Sequence, residues 1–183
     1  MIILASASPR RAQILSQLGF VFRIEPPACE EEIKNVSIEK IPKELAKRKA
    51  LEVSIKFPED FALGGDTLVF CDSLTFGKPK DGKEAFDMLK TLKNRSHKVV
   101  SGLALCKNGQ ILFSGDACTE VFFRNYTDSE ILDYISTMEY SDKAGAYGAQ
   151  GKGARFIESI NGCFYNVMGL PVALAIEALN NLG

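Results

Sequence analysis

The sequence contains a single histidine and no long apolar run, and these two shortages exclude several classes of protein. With His97 alone, a metal site built from several histidines is excluded, and a Ser-His-Asp or Cys-His arrangement would need this one side chain. The longest apolar runs are short and interrupted, so no segment is expected to cross a bilayer. The apolar start, Met1 to Ala5, follows no basic stretch. It predicts a buried strand rather than a secretion signal, and hence a cytoplasmic protein without a membrane partner.

Neither the net charge nor the cysteine pattern indicates a nucleic-acid binder or a disulfide-rich protein. The formal net charge is -1, whereas domains that bind nucleic acid non-specifically are usually basic. The chain has five cysteines, an odd number, and none forms a C-x-x-C pair. A disulfide framework and a cysteine zinc site are therefore not expected. Reduced thiols that pack as small apolar groups are expected instead.

Apolar periodicity and turn residues predict strands and helices along the whole chain, which is typical of one α/β domain over residues 1–183. We predict strands over residues 2–5, 20–24, 61–70, 99–106 and 111–123, and one through Phe156 and Ile157. We predict helices from Pro9 to Gly19, over about 38–56 and 84–92, from the capping box at Thr127 through Met138, and from Leu170-Pro171 to about Leu182. The Asn108-Gly109 pair predicts a hairpin.

The segment from Ser6 to Arg11 follows the first predicted strand and begins the first predicted helix. Ser8 takes the N-cap position and Pro9 the first helical position. A helix N-terminus attracts phosphate, and the hydroxyls of Ser6 and Ser8 add hydrogen-bond donors. Arg10 and Arg11 add fixed cationic forks. The segment is either a polyphosphate cradle or a capped helix with two solvated arginines, and the residues alone favour neither.

Asp66 is an ionisable residue within a predicted apolar strand, and it follows Gly64 and Gly65. A carboxylate is costly at such a position unless it is paired or functional, and the two glycines leave room for a ligand. Asp66 is therefore a candidate general base or metal ligand. The alternative is a structural ion pair with a lysine.

Charged residues elsewhere could complete a phosphate site. Lys49 on the second predicted helix and Lys78 in the turn after Gly77 would neutralise charge that develops on phosphate, although a lysine in a turn is more commonly solvated. The acidic run Glu30-Glu31-Glu32 is also more commonly a solvated charge run. Beside bound phosphates these carboxylates would need a divalent cation between them and the ligand.

A glycine-rich stretch from Asp142 to Gly151 contains Tyr147 and Gln150. Its small residues would let a ligand approach the backbone, and the aromatic ring and the amide suit contact with a nucleobase. The amide of Gln150 can both donate and accept hydrogen bonds at a base edge. A glycine-rich loop carries little weight on its own.

Together these segments resemble the Maf family of nucleoside triphosphate pyrophosphatases, in the family's order over nearly the whole chain. The resemblance is carried by residues 5–11, Glu30-Glu31, residues 45–50, Gly65-Asp66-Thr67, Gly77-Lys78-Pro79, residues 142–148, Gln150-Gly151 and Gly169-Leu170-Pro171. Each segment is modest, but the ordered set is specific. The implied fold is α/β, a mixed twisted sheet with flanking helices and two lobes around a central cleft, as in Maf and ITPase proteins.

The resemblance implies a metal-dependent enzyme that cleaves a nucleoside triphosphate between its α- and β-phosphates, giving the monophosphate and pyrophosphate. Asp66 would accept a proton, and the implied catalytic residues are Asp66, Lys78, Lys49 and Glu31. The implied substrate-binding residues are Ser6, Ser8, Arg10, Arg11, Thr67 and Gln150. Glu30, Glu31 and Asp66 would bind Mg²⁺ or Mn²⁺. A homodimer is compatible with the resemblance.

Arg10, Thr67 and Gln150 occupy the positions at which the family divides by substrate. They match the branch that acts on dTTP and UTP, an expectation that extends to modified pyrimidine nucleotides. The branch that acts on 7-methyl-GTP usually carries Trp, Gln and Glu there. Two alternatives stay open: a non-enzymatic, nucleotide-binding regulator of cell division, and a pyrophosphatase acting on 7-methyl-GTP or deaminated purines.

The chain departs from the family pattern at two positions. Gly65 stands where Ala is common, a change that we expect to be neutral. Cys29 stands where Val is common, just before the acidic pair, so the resemblance does not decide which of Glu30 and Glu31 faces the metal. His97 also lies in a stretch that resembles the family, and we assign it a structural role.

Overall fold

The computed structural model describes residues 1–29, 33 and 35–180, and its α/β class is the predicted one. The strands are β1 (Ile2–Ala5), β2 (Phe22–Ile24), β3 (Phe61–Cys71), β4 (Leu74–Phe76), β5 (Ser96–Lys107), β6 (Gln110–Phe123) and β7 (Ile157–Asn161). The α-helices are α1 (Pro9–Gln17), α2 (Ile41–Lys56), α3 (Gly82–Leu92), α4 (Asp128–Ile135), α5 (Phe164–Met168) and α6 (Val172–Asn180). Short 3₁₀ turns lie between several of them.

The strands form one seven-stranded mixed sheet in the order β2-β1-β3-β5-β6-β7, and β4 pairs with β3 outside this path. β1 is parallel to β2 and β3, whereas β4 is antiparallel to β3 and β7 is antiparallel to β6. The register pairs Ala5 with Gly64. Ser6 and Gly65 therefore follow this pair side by side, and the parallel pairing brings the first turn to the Gly64–Thr67 segment.

The described residues form two compact units, and β3, β5 and β6 each contribute to both. The first unit comprises residues within Met1–Thr67, within Val100–Ala117 and from Gly169 onward. In it, α2 approaches the sheet closely, because a Cβ on Gly64 would lie 2.3 Å from the carbonyl oxygen of Ala46 and 2.8 Å from the amide nitrogen of Ala50. Only glycine permits this approach.

The second unit comprises Leu68–Val99 and Cys118–Met168, and its core is rich in aromatic rings. His97 is 2% exposed and packs edge-on against Phe123, with 4.7 Å between ring centroids. Its Nε2 lies 2.8 Å from the hydroxyl of Tyr147. Burial lowers the pKa of His97 to about 4. His97 therefore has the structural environment that the sequence predicts for it.

Local signals in the sequence are confirmed where they specify turns and caps. Asn108 and Gly109 both have positive φ, 47° and 71°, and join β5 to β6 as predicted. Thr127 and Glu130 form the predicted capping box at the start of α4. The prediction that this helix extends through Met138 is wrong, because α4 ends at Ile135 and Met138 is left-handed, with φ 59°.

The second strand was predicted from residue 20, but β2 begins at Phe22, because residues 19 and 20 belong to the end of α1. Gly19 has a φ of 81°, and the amide of Phe20 donates to the carbonyl of Leu15, which continues the helix cap. The sequence reasoning also missed the short elements β4 and α5. No helix among the described residues has the length and apolarity that a membrane span requires.

Candidate functional site

The turn after β1 forms the first part of the candidate site. Ser8 is the N-cap residue of α1, with extended φ and ψ of -74° and 115°, and its side chain does not cap the helix. The hydroxyl oxygen of Ser6 instead accepts a hydrogen bond from the backbone amide of Ser8 at 3.2 Å. The helix begins where the sequence predicts, and its first turn is organised by Ser6.

Arg11 lies in the interior of the first unit, with 8% of its surface exposed. Its Nε donates to the carbonyl of Gly169 at 2.8 Å, one terminal nitrogen donates to Ser6 Oγ at 2.9 Å, and the other donates to Thr67 Oγ1 at 3.1 Å. The alternative that both arginines are solvated is therefore wrong for Arg11. One guanidinium group joins the first turn, β3 and the segment before α6.

Thr67 has a fixed hydroxyl, although it lies at a predicted substrate-selecting position. Its Oγ1 lies 2.9 Å from the hydroxyl oxygen of Ser101, in addition to its contact with Arg11. Ser101 is fully buried on β5, and the sequence reasoning missed it. A serine within an apolar strand is the same signal that identified Asp66, so it could have been noticed.

Lys49 and Asp66 form an ion pair in the first unit, with 2.8 Å between Nζ and Oδ1. Their side chains are 9% and 16% exposed. The close approach of α2 at Gly64 places Lys49 against β3, where Asp66 lies. The structural alternative, an ion pair of Asp66 with a lysine, is therefore observed. The lysine is Lys49, which the catalytic hypothesis also requires, so the two hypotheses concern the same pair.

Glu52 on α2 holds the chain just before the acidic run. Its Oε1 accepts a hydrogen bond from the amide of Ala28 at 2.8 Å. Burial and the nearby Glu52 carboxylate raise the pKa of the Cys29 thiol. Glu30 and Glu31, the predicted metal ligands, lie outside the described residues. The sequence reasoning missed Glu52.

Metal binding stays a prediction, because Glu30 and Glu31 lie outside the described residues. Over the part of the chain that the structure describes, no group of three or more His, Cys, Asp or Glu side chains is placed to hold a metal ion. Asp66 is the described member of the predicted set, and carboxylate oxygen is the ligand type that Mg²⁺ prefers. Its chemistry fits the predicted cation.

Lys78 and Gln150 belong to the second unit, and both are exposed. The amide of Gly145 donates to the carbonyl of Gly77 at 3.1 Å, so the loop that carries Lys78 is joined to the glycine-rich stretch. The expectation that the ring of Tyr147 contacts a nucleobase is wrong, because Tyr147 is 5% exposed and packs in the core. Gln150, by contrast, is exposed at the end of that stretch.

All five cysteines are free thiols, as expected, and none of them is a candidate site residue. Cys71 and Cys106 are buried, and burial raises the pKa of the Cys106 thiol to about 11. A protonated thiol is a weak nucleophile at neutral pH.

The chain is similar to proteins of one family over its whole length. The sequence profile described as "Maf-like protein" matches residues 1–182. The dTTP/UTP pyrophosphatase of Carboxydothermus hydrogenoformans is 42% identical over 183 residues, covering 100% of this chain and 98% of the relative. The dTTP/UTP pyrophosphatase of Pyrococcus horikoshii is 43% identical over 183 residues, covering 100% and 97%.

Solved structures share the fold at low sequence identity. A HAM1 protein from Coxiella burnetii has a TM-score of 0.54 and 17% identity, covering 99% of this chain and 96% of that one. The nucleoside-triphosphatase / dITP/XTP pyrophosphatase from Mycobacterium abscessus has a TM-score of 0.50 and 15% identity, covering 99% and 95%. These likenesses confirm the predicted fold, a mixed sheet with flanking helices.

Proposed function

The chain belongs to the Maf-like protein family, and on that premise we propose that it is a nucleoside triphosphate pyrophosphatase acting on dTTP and UTP. The reaction adds water across the bond between the α- and β-phosphates and releases a nucleoside monophosphate and pyrophosphate. The names of relatives that are 42% and 43% identical over the full chain support both the activity and the substrates. The ion pair of Lys49 and Asp66 is the structural observation that carries the proposal.

Asp66 accepts the proton of the attacking water in this proposal. Its carboxylate lies 2.8 Å from the Lys49 ammonium group, which balances its charge and restricts its orientation. When Asp66 takes the proton, its negative charge disappears, and the positive charge of Lys49 is no longer balanced by it. Lys49 can then stabilise negative charge on the phosphates, and Lys78 is assigned the same role.

A divalent cation, Mg²⁺ or Mn²⁺, is part of the proposal. Asp66 would hold it together with Glu30 or Glu31. When bound, the cation supplies positive charge that neutralises the phosphate oxygens.

Substrate binding is assigned to the residues that organise the first turn and to the exposed amide. Ser8, Arg10 and the α1 N-terminus bind phosphate oxygens through donors and positive charge. Arg11 keeps Ser6 and Thr67 in place through its hydrogen bonds. Gln150 pairs with the edge of a pyrimidine base through its amide.

Pyrophosphate release from a panel of triphosphates tests the activity. The panel contains dTTP, UTP, triphosphates of modified pyrimidines, 7-methyl-GTP and purine triphosphates, each with Mg²⁺, with Mn²⁺ and with a chelator. We expect release from dTTP and UTP and none with the chelator. Release from no triphosphate would reject the proposal, and nucleotide binding without turnover would favour the non-enzymatic regulator.

The variant Asp66→Asn tests the proton acceptor. We expect kcat to fall by at least about 100-fold, since general-base catalysis typically contributes that much or more. Asp87→Asn is the matched control, because Asp87 is an exposed aspartate on α3 and we expect its variant to keep the wild-type rate. An unchanged kcat in Asp66→Asn would reject this role.

A further inference from the structure

Glu139 lies in the second unit, and its carboxylate accepts hydrogen bonds from two backbone amides that directly follow the glycine-rich stretch. Oε2 accepts a hydrogen bond from the amide of Lys152 at 2.9 Å, and Oε1 accepts one from the amide of Gly153 at 3.1 Å. The hydroxyl of Tyr134 lies 3.5 Å from Oε1. A charged acceptor makes stronger hydrogen bonds to backbone amides than a neutral one. The carboxylate thus holds the backbone just after Gln150.

Gly148 and Gly151, on either side of Gln150, leave no room for a side chain beside Glu139. A Cβ on Gly151 would lie 2.4 Å from Glu139 Oε1 and 2.6 Å from Oε2, and a Cβ on Gly148 would lie 3.0 Å from Oε1. Atoms at 2.4 Å cannot coexist, so any side chain at residue 151 would displace the carboxylate or the loop. The backbone at residues 148 and 151 therefore packs directly against the Glu139 carboxylate.

Gln150 lies between these two glycines. The amide of Gly151 donates to the carbonyl of Gly148 at 3.2 Å and closes a four-residue turn, with Gln150 as its third residue. Both ends of the turn lie against Glu139, and the amides that follow donate to its carboxylate. The exposed Gln150 side chain is thus presented by a turn whose position depends on its contacts with Glu139.

We propose that Glu139 is the positioning residue that fixes the Gln150 turn and thereby sets the preference of the enzyme for the nucleobase. This inference rests on the proposed function, in which Gln150 contacts the base. Glu139 does not itself touch the substrate in this proposal. A displaced turn would move the Gln150 amide away from its partners on a pyrimidine, and it would leave the phosphate-binding residues of the first unit unchanged.

The test is the ratio of kcat/KM for UTP to kcat/KM for GTP in the variant Glu139→Gln. The variant is nearly isosteric, but its amide nitrogen would face one of the two backbone donors, at Lys152 or Gly153, and repel it. We expect the ratio to fall about tenfold, which corresponds to about 1.4 kcal/mol. The change should appear mainly in the KM for UTP, since Gln150 contacts the base and not the reacting phosphates.

Two further variants make the test specific. Glu158→Gln, at an exposed position on β7, is the matched control and should keep the wild-type ratio. Gln150→Ala should lower the ratio by itself, and Glu139→Gln should lower it no further in that background, because the two residues act as one unit. Independent effects that multiply, or a ratio equal to that of Glu158→Gln, would overturn the proposal.

Amide hydrogen exchange separates this inference from the proposed function. If the wild-type protein releases no pyrophosphate, the proposed function fails, and exchange at Lys152 and Gly153 then tests Glu139 directly. Glu139→Gln should accelerate both amides relative to Glu158→Gln, and unchanged exchange would overturn the positioning role. If Glu139→Gln does not unfold cooperatively, Glu139→Asp replaces it, since it keeps the charge and withdraws the carboxylate by one methylene.

Discussion

His97 should make the stability of the protein decrease as the pH falls below about 6.5. The imidazole is 2% exposed, its Nε2 contacts the hydroxyl of Tyr147, and its Nδ1 has no hydrogen-bond partner among the described residues. Burial lowers its pKa from 6.5 to about 4. Between these two values the unfolded chain binds a proton that the folded chain does not bind, so protonation favours unfolding.

The size of this effect follows from the difference between the two pKa values. One pKa unit corresponds to about 1.4 kcal/mol, so lowering the pKa from 6.5 to about 4 corresponds to about 3 kcal/mol when complete. By pH 5 the free energy of unfolding should have fallen by about 2 kcal/mol. The hydrogen bond with Arg124 is the main cause that lowers the pKa of Glu130 from 4.5 to about 2, so the stabilisation that Glu130 contributes is lost between these two values, below pH 5.

Urea unfolding between about pH 7.5 and pH 5 measures the effect, and the single histidine makes it easy to assign. The one Hε1 resonance in proton NMR spectra gives the pKa of His97 directly. The control His97→Gln keeps a polar partner for Tyr147 but cannot titrate. It should be less stable at neutral pH and lose the pH dependence in this range. A measured pKa near 6.5, or an unchanged dependence in the control, would refute the reasoning.

Two further predictions concern the packing and hydrogen bonds of the first unit. Gly64→Ala should destabilise the protein by at least about 2 kcal/mol in urea unfolding, because its Cβ would lie 2.3 Å from the Ala46 carbonyl, whereas the control Gly77→Ala, with no atom within 4 Å, should change little. Arg11→Lys should cost at least about 2 kcal/mol, since one ammonium group cannot replace the guanidinium contacts to Thr67 and its other partners. Equal free energies of unfolding for the Gly64 and Gly77 variants, or a wild-type free energy of unfolding for Arg11→Lys, would contradict these predictions.

The sequence predicted those features of the fold that depend on neighbouring residues. The hairpin at Asn108-Gly109 and the capping box at Thr127 are confirmed because a few consecutive residues specify their geometry. The long strands and helices are confirmed because apolar residues recur with the period of each element. The elements that were missed, β4 and α5, have 3 and 5 residues, too few to show a period.

Contacts between distant segments were beyond the sequence reasoning. The Gln150 turn depends on Glu139, and Thr67 depends on Ser101, yet neither partner stands at a spacing that indicates its contact. The small neighbours of Tyr147 suggest an aromatic ring that a nucleobase could contact, but the ring is buried in the core. Pairing across a sheet and packing beneath a loop are set by the tertiary structure, which residue spacing does not encode.

The two adjacent arginines of the segment from Ser6 to Arg11 have the same side chain but different environments. Arg11 is buried and donates to Ser6, Thr67 and Gly169, so it acts as a cross-link within the first unit. Arg10 is half-buried on the same helix. Because successive helical residues point in directions about 100° apart, only one of two neighbours can face this interior. Loss of activity in an Arg11 variant would therefore follow first from displacement of Ser6 and Thr67, whereas Arg10 is the arginine whose loss should weaken triphosphate binding without unfolding the protein.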